Sequence, residues 1–185
     1  MSDKFRNRYR IASTRLQNWD YGWNAMYFVT ICTKNRICFF GDIRRDAMHR
    51  VSTKMQLSQI GKIADTEWLK TFVLRPDMNL EMGEYIVMPN HFHAVIGIGS
   101  NEYNSNHAKT KQPVNQFGPQ SKNLASIIRG FKSAVTVNAR KIDSNFGWQS
   151  RFHDHVIRNQ GSFDRIQSYI INNPLNWKND SFYKK

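Results

Sequence analysis

The stretch LEMGEYIVMPNHFHAVIGIG, residues 80–99, decides the fold that the sequence predicts. It contains two strand-like runs, from Leu80 to Met88 and from His91 to Gly99, which Pro89-Asn90 separates. Two such runs joined by a short turn are typical of a β-hairpin. The middle of the chain is therefore predicted to supply two adjacent antiparallel strands.

Strand-like and helical segments alternate on either side of this hairpin. The strands are identified by β-branched and aromatic residues, and the helices by apolar positions three and four residues apart. The predicted strands lie at residues 26–33 and 148–157, and the predicted helices at residues 58–72, 124–142 and 162–172. Ser162 is the predicted N-cap of the last helix, which should end at Pro174.

The predicted order of elements is strand, helix, strand, strand, helix, strand, helix. Its first six elements match a split βαβ unit, the ferredoxin-like arrangement. We therefore expect an α+β fold, with helices on one face of the sheet and an additional C-terminal helix. Because the sequence has no internal repeat and no convincing domain boundary, residues 1–185 are expected to form a single domain, with a basic arm at 1–18 and a polar loop at 100–123.

The chain carries a large excess of positive charge. Among its 185 residues, 27 are Lys or Arg and 14 are Asp or Glu, which gives a net charge of +13 with histidine neutral. Basic side chains bind nucleic acids by replacing phosphate counterions, so a nucleic-acid partner is favoured over charge that serves solubility alone. The candidate contacts are Arg6, Arg8 and Arg10 in the basic arm, which a frayed terminus would also explain, and Arg129 and Lys132 in the helix predicted at 124–142.

Other features of the sequence exclude whole classes of protein. A membrane-spanning helix needs a run of about 18 apolar residues, and the chain contains none. The first residues lack the apolar stretch of a secretory signal. Cys32 and Cys38 are the only cysteines, which are too few for a disulfide framework or a four-cysteine zinc site. We therefore expect a cytoplasmic protein with no membrane partner.

His91 and His93 are the sharpest chemical feature of the sequence. Alternate residues of a strand project from the same face, so the two imidazoles could bind one metal ion while Phe92 enters the core. Two surface histidines on a half-exposed strand would give the same pattern. A His-x-His spacing therefore allows both interpretations.

A second histidine pair, His153 and His155, flanks Asp154 on the strand predicted at 148–157. The same alternation makes it a rival metal site. We favour an interpretation in which His155 supports the active site or DNA and Arg158 contacts a phosphate. A strand edge with solvated polar groups explains the pattern about as well.

Tyr169 and Asn173 are four residues apart in the last predicted helix, so they share one helix face. A phenol and a side-chain carbonyl on one face can present a nucleophile and a metal ligand together. A half-buried tyrosine with Asn173 capping the helix before Pro174 is the simpler interpretation, and the pattern by itself favours it.

The sequence resembles the REP-associated tyrosine transposases, a branch of the single-tyrosine HUH transposases. The resemblance covers nearly the whole chain, and its specificity comes from the order of several short motifs. They are Asp20-Tyr21 leading into Tyr27-Phe28-Val29-Thr30-Ile31-Cys32-Thr33, Phe40-Gly41, Leu57-Ser58-Gln59-Ile60-Gly61, Val87-Met88-Pro89-Asn90-His91-Phe92-His93, Trp148-Gln149-Ser150-Arg151-Phe152-His153-Asp154-His155-Val156-Ile157-Arg158, Tyr169-Ile170 and Asn173-Pro174.

The resemblance implies a ferredoxin-like fold and a divalent metal ion held by His91 and His93. Imidazole ligands by themselves favour Zn, Ni or Cu, whereas phosphate chemistry favours Mg or Mn, and the resemblance implies Mg²⁺ or Mn²⁺. It gives Tyr169 the role of nucleophile, and it gives Asn173, where related enzymes often carry glutamine, the role of completing the metal site. The implied activity is the cutting and rejoining of single-stranded DNA at hairpin repeats of the REP type, through a 5′-phosphotyrosine intermediate. Relatives act as monomers or homodimers, and DNA binding would associate the protein with the nucleoid.

Two other functions are compatible with the sequence. One is a non-catalytic protein that binds single-stranded or hairpin DNA, and the other is a metal-dependent nuclease in which Tyr169 is structural. The presence of His91, His93 and Tyr169 together favours the transposase over the binding protein.

Overall fold

The computed structural model describes residues 16, 19–45, 53–105 and 121–183, together with the backbone of residues 4–5 and 8–9. Its strands are β1 (Lys4–Phe5), β2 (Arg8–Tyr9), β3 (Ala25–Cys32), β4 (Gly41–Arg45), β5 (Thr53–Leu57), β6 (Leu80–Met88), β7 (His91–Ile98) and β8 (His153–Ile157). The pairs β1–β2 and β4–β5 form two small antiparallel sheets beside a central sheet of four strands. Two of the predicted DNA contacts, Arg6 and Arg10, lie outside the described residues, and only the backbone of Arg8 is described.

The central sheet has the strand order β6-β7-β3-β8, and every neighbouring pair is antiparallel. The predicted hairpin is confirmed, because Met88 lies opposite His91 where β6 turns into β7. Strand β7 is buried along its whole length, since it lies inside the sheet and both of its faces are covered. This order is that of a split βαβ unit and confirms the predicted α+β class.

The helices are α1 (Gln59–Val73), α2 (Leu124–Ala139) and α3 (Gln160–Asn176), and single 3₁₀ turns lie at Lys34–Arg36, Pro76–Met78 and Trp177–Asn179. At the start of each α-helix, the N-cap side chain accepts from one of the free N–H groups of the first turn. Ser58 caps α1, Asn123 caps α2 in a reciprocal capping box with Ser126, and Asn159 caps α3. None of the helices in the described part of the chain is long and apolar enough to span a membrane.

Alternation along β7 divides the molecule into two layers of side chains. Phe92 points to one face, where its ring packs 5.0 Å from Trp68 of α1 and 5.1 Å from Phe131 of α2, measured between ring centroids. Val95 points to the opposite face and belongs to a smaller cluster with Ile170 of α3. The histidines of β7 share that second face with Val95. The additional C-terminal helix therefore covers the sheet face that carries them.

The strand predicted at 148–157 is shorter than expected. It begins at His153, and Trp148 makes only an isolated bridge to Thr33. The N–H of Gln149 still donates to the carbonyl of Cys32 in β3 at 2.9 Å, but its carbonyl accepts from Lys132 Nζ at 2.6 Å. A side-chain donor thus takes the carbonyl that a continuous ladder would need.

The last helix is longer than predicted at both ends. Its N-cap is Asn159, whose side chain accepts from the backbone N–H of Ser162 at 2.9 Å, so the prediction of Ser162 as the cap was wrong. The helix also continues through Pro174 to Asn176. A proline removes one backbone hydrogen bond from a helix, yet Pro174 lies inside α3, where it is buried.

Candidate active site

The site is built on the face of β7 that α3 covers. His91 and His93 lie two residues apart on that face, their ring centroids are 4.5 Å apart, and their side chains are 0% and 1% exposed. The interpretation of these residues as surface histidines is therefore wrong. Phe92, between them, enters the core on the other face, as the alternation predicts.

Tyr169 of α3 reaches this pair from a distant part of the sequence. Its hydroxyl lies 3.2 Å from Nε2 of His93, and its ring meets the His93 ring edge-on at 5.3 Å. Phe28 of β3 packs against both rings and limits their rotation. Tyr169 is 44% exposed, so it contacts the buried imidazole and still remains accessible from solvent.

Hydrogen bonds fix the orientation of both imidazoles. Nδ1 of His93 lies 2.8 Å from the hydroxyl of Thr30, and Nδ1 of His91 lies 2.9 Å from Oδ1 of Asn90. The amide of Asn90 donates to the carbonyls of Arg36 and Phe182, at 3.2 and 2.9 Å, so its Oδ1 must accept. His91 therefore carries its proton on Nδ1 and presents a lone pair at Nε2.

That lone pair has no hydrogen-bond partner among the described residues, although Nε2 of His91 is fully buried. A buried polar atom without a partner is costly, and a metal ion is one group that would satisfy it. Histidines that bind metals usually donate their other N–H to an oxygen, as Nδ1 of His91 does to Asn90. The imidazole is thus oriented as a ligand.

Asp180 supplies a third potential ligand that the sequence did not reveal. One oxygen of its carboxylate and one nitrogen from each of His91 and His93 all lie within 4.8 Å of one another. Asp180 follows the 3₁₀ turn at 177–179, and the backbone N–H of Phe182 donates to its Oδ1 at 2.7 Å. Two imidazoles and one carboxylate form a donor set that fits a divalent cation.

Asn173 lies beside this group and is 1% exposed. Its side-chain NH₂ donates to Oδ2 of Asp180 at 3.3 Å, while its Oδ1 is buried without a partner among the described residues. The carbonyl oxygen is therefore free to act as a ligand, and the amide nitrogen positions Asp180. The structure brings together the four site residues named in the sequence analysis, Tyr169, His91, His93 and Asn173, and adds Asp180 to them.

The environment keeps the imidazoles neutral and the phenol protonated. Burial lowers the pKa of His93 from 6.5 to about 3, with a smaller contribution from the nearby His153. Burial also lowers the pKa of His91 well below its usual range, assisted by His93 and Arg36. Burial and then the charge of Asp180 raise the pKa of Tyr169. Both imidazoles therefore keep one unprotonated nitrogen at neutral pH, which metal binding requires.

A cleft of about 520 Å³ opens beside the Tyr169 hydroxyl. Its walls come from β3, from residues 149–153 and from the C-terminal segment, and they combine aromatic rings with basic groups. Besides Tyr169 and the imidazoles, the cleft is lined by the phenyl rings of Phe28, Phe152 and Phe182 and by the arginines Arg36 and Arg151. A strand of nucleic acid presents flat bases and charged phosphates, and these walls offer a surface for each.

The other predicted DNA contacts lie away from the cleft lining or are engaged inside the protein. Arg129, His155 and Arg158 are exposed and are not among the residues that line the cleft. Lys132 donates to the carbonyls of Gln149 and Ser150, at 2.6 and 3.4 Å. Their roles in DNA binding remain predictions.

The rival histidine pair does not form a metal-binding group in the described part of the chain. His153 and His155 are both exposed on β8, and the group of closely spaced ligands is the one formed by His91, His93 and Asp180. His153 instead lines the cleft next to Tyr169.

Comparisons with known proteins identify a relative by sequence and a solved structure with a similar fold. No protein-family model matches the sequence. An uncharacterised protein of Haemophilus influenzae is 34% identical over 175 residues, which cover 92% of each chain. The solved structure of a REP-associated tyrosine transposase bound to a REP hairpin superimposes with a TM-score of 0.54 at 18% identity, over 90% of this chain and 74% of that one. The chain therefore belongs to one family with the Haemophilus influenzae protein, and it has the fold of the REP-associated tyrosine transposase, as the sequence resemblance implied.

Proposed function

We propose that the protein is a metal-dependent transposase or endonuclease of single-stranded DNA that cuts and rejoins DNA at hairpin repeats of the REP type. One observation carries the proposal: the Tyr169 hydroxyl lies 3.2 Å from His93 Nε2, and His93 belongs to a group of side chains that could hold a metal ion. The structural neighbour with this fold was solved with a REP hairpin bound, which supports DNA as the partner. Such a partner would associate the protein with the nucleoid, as a monomer or a homodimer.

In the proposed reaction the oxygen of Tyr169 attacks a backbone phosphorus. The new bond joins that oxygen to the phosphorus, the bond from phosphorus to the 3′ oxygen breaks, and the proton lost by the phenol is balanced by the proton gained at the 3′-hydroxyl. The product is a 5′-phosphotyrosine, and attack by another 3′-hydroxyl reverses the step. The energy of the phosphodiester bond is conserved, so no ATP is needed.

The chain's own residues hold the reacting groups in place. Phe28 and the packing of α3 aim the phenol at the cleft, and Thr30 fixes the His93 ring. Burial raises the pKa of Tyr169, so the free protein holds this oxygen as a neutral phenol. A Mg²⁺ or Mn²⁺ ion at His91, His93 and Asp180, with Asn173 as a further donor, would polarise the scissile phosphate and stabilise charge on its oxygens.

The test is a search for the covalent intermediate. The protein is incubated with single-stranded hairpin oligonucleotides and Mn²⁺, and the products are separated on a denaturing gel. We expect an adduct with the wild type and none with Tyr169→Phe. Cleavage that persists in Tyr169→Phe would instead identify a nuclease with a structural tyrosine, and binding without any cleavage would identify a DNA-binding protein.

A second variant tests the metal ligands. We expect His91→Ala to abolish cleavage but to change DNA affinity by only a few-fold, because phosphate contacts by basic side chains dominate binding. Full cleavage activity in this variant would remove the metal site from the mechanism.

A further inference from the structure

The cleft beside Tyr169 is larger than the space that the tyrosine and a metal ion would occupy. Its volume of about 520 Å³ lies within the range of pockets that hold whole small molecules, roughly 300–1,000 Å³. Part of its wall comes from residues 149–153, which carry an amide, a cation and an aromatic ring in that order. These are Gln149, Arg151 and Phe152.

The backbone of Gln149 is fixed from two sides. Its N–H donates to the carbonyl of Cys32 in β3 at 2.9 Å, and its carbonyl accepts from Lys132 of α2 at 2.6 Å. The preceding residue, Trp148, bridges to Thr33 and donates its indole N–H to the carbonyl of Lys132 at 3.2 Å. The position of the Gln149 side chain is therefore set by the sheet and a helix, although it lies outside both.

The side-chain amide of Gln149 lines the cleft and makes no hydrogen bond to any residue that the structure describes. A planar amide can donate and accept at once, which lets it pair with two atoms on the edge of a base. Phe152 packs in part against the hydrophobic core and also lines this cleft, and unpaired bases stack on aromatic rings regardless of their sequence. Arg151 is exposed at the cleft and can pair with a backbone phosphate.

Given the proposed function, we propose that this cleft is a subsite for one unpaired base next to the scissile phosphate, and that Gln149 determines which base it accepts. Phe152 supplies stacking energy and Arg151 supplies charge, so these two residues set affinity without choosing the base. Gln149 pairs with the edge of the base and sets the preference. The subsite thereby ties the position of cutting to the identity of a neighbouring nucleotide.

The experiment measures binding separately from chemistry. A Tyr169→Phe background prevents adduct formation, and fluorescence anisotropy gives the affinity for labelled hairpin oligonucleotides with a single-stranded flank. Each flank position is replaced in turn by an abasic nucleotide and by each of the four bases. We expect one position where the abasic change weakens binding about tenfold and where the four bases differ by about tenfold.

Single substitutions show which residue causes the loss of affinity at the abasic position and which causes the difference among the four bases. In Gln149→Ala the four bases should bind equally at that position, while the abasic change still weakens binding. In Phe152→Leu the abasic change should lose most of its effect, while the ranking of the bases is kept. Gln149→Glu retains the shape of the side chain and should alter the ranking. Gln160→Ala, an exposed glutamine at the start of α3, is the matched control and should leave both effects unchanged.

Failure of the subsite and failure of the proposed function give different results. A base preference that is the same in the wild type and in Gln149→Ala, or no preference at any position, would overturn the subsite even if Tyr169 forms an adduct. A base preference that depends on Gln149 would support the subsite even if no adduct is found. In that case only the proposed cutting activity would be contradicted.

Discussion

Buried neutral histidines should make the metal-free protein sensitive to acid. His93 is enclosed by Thr30, Phe28 and Tyr169, and its burial lowers the pKa from 6.5 to about 3. In the unfolded chain the same imidazole titrates at its ordinary pKa. Between these two values the unfolded state binds more protons than the folded state, so stability falls as the pH is lowered.

The size of the effect follows from the two pKa values. Between the folded and unfolded pKa values, each unit of decrease in pH lowers the free energy of unfolding by about 1.4 kcal/mol for each such group. From pH 7.5 to pH 5.0, His93 alone should therefore lower the free energy of unfolding by about 2 kcal/mol. His91 shifts in the same direction and adds to the loss. Above pH 7.5 both histidines are neutral in both states and contribute no further change.

Urea denaturation followed by tryptophan fluorescence, with a chelator present, measures this dependence. The matched variant is His93→Gln, which keeps a polar side chain in the site but has no group that titrates in this range. The wild type should lose about 2 kcal/mol more than the variant between pH 7.5 and 5.0. Parallel pH profiles for the two proteins would show that His93 is not held neutral by burial, and the reasoning from the site geometry would fail.

Three further predictions concern the metal site, the DNA partner and the core. Asp180→Ala should weaken Mn²⁺ binding by at least about tenfold in calorimetric titration, because it removes the carboxylate from the ligand group, whereas the exposed Asp164→Ala should not. The logarithm of affinity for single-stranded DNA should fall by about 0.7 per neutralised phosphate for each tenfold rise in salt, and a flat response would contradict a DNA partner. Phe92→Ala should lower the free energy of unfolding by about 3–5 kcal/mol in chemical denaturation, since its ring packs between Trp68 and Phe131.

The central sheet and its helices could be predicted because their signals are local. The alternation in residues 80–99 and the helical spacing of 58–72 and 124–142 each require only neighbouring residues. Their order then selects a split βαβ topology, which fixes which strands become neighbours. The hairpin of β4 and β5 was not predicted, because Gly41–Arg45 has only one apolar side chain, Ile43, with which to mark a strand.

The candidate site was only partly predictable, for a physical reason. The spacing of His91 and His93 on a strand marks them as candidate metal ligands, and the family resemblance identified Tyr169 and Asn173. Asp180 has no comparable signal. Its carboxylate reaches the histidines because the chain turns back after α3, and no periodic pattern encodes that turn.

Contacts made by distant residues hold this turn in place. Arg36 donates to the carbonyl of Ser181 at 2.9 Å, and the amide of Asn90 donates to the carbonyl of Phe182 at 2.9 Å. The same Asn90 fixes the proton of His91 through its Oδ1. One side chain thus orients an imidazole and anchors the segment that carries the carboxylate.

Burial and metal affinity therefore have a common structural origin. The rings of Phe182 and Trp177 lie 4.7 and 5.8 Å from the His91 ring, and the segment that carries them also carries Asp180. Covering the imidazoles with aromatic rings lowers their pKa values and frees their lone pairs, while the neighbouring carboxylate supplies the negative charge that a cation needs. Since protons and metal ions compete for the same nitrogen atoms, an environment that disfavours protonation widens the pH range in which these histidines can bind metal.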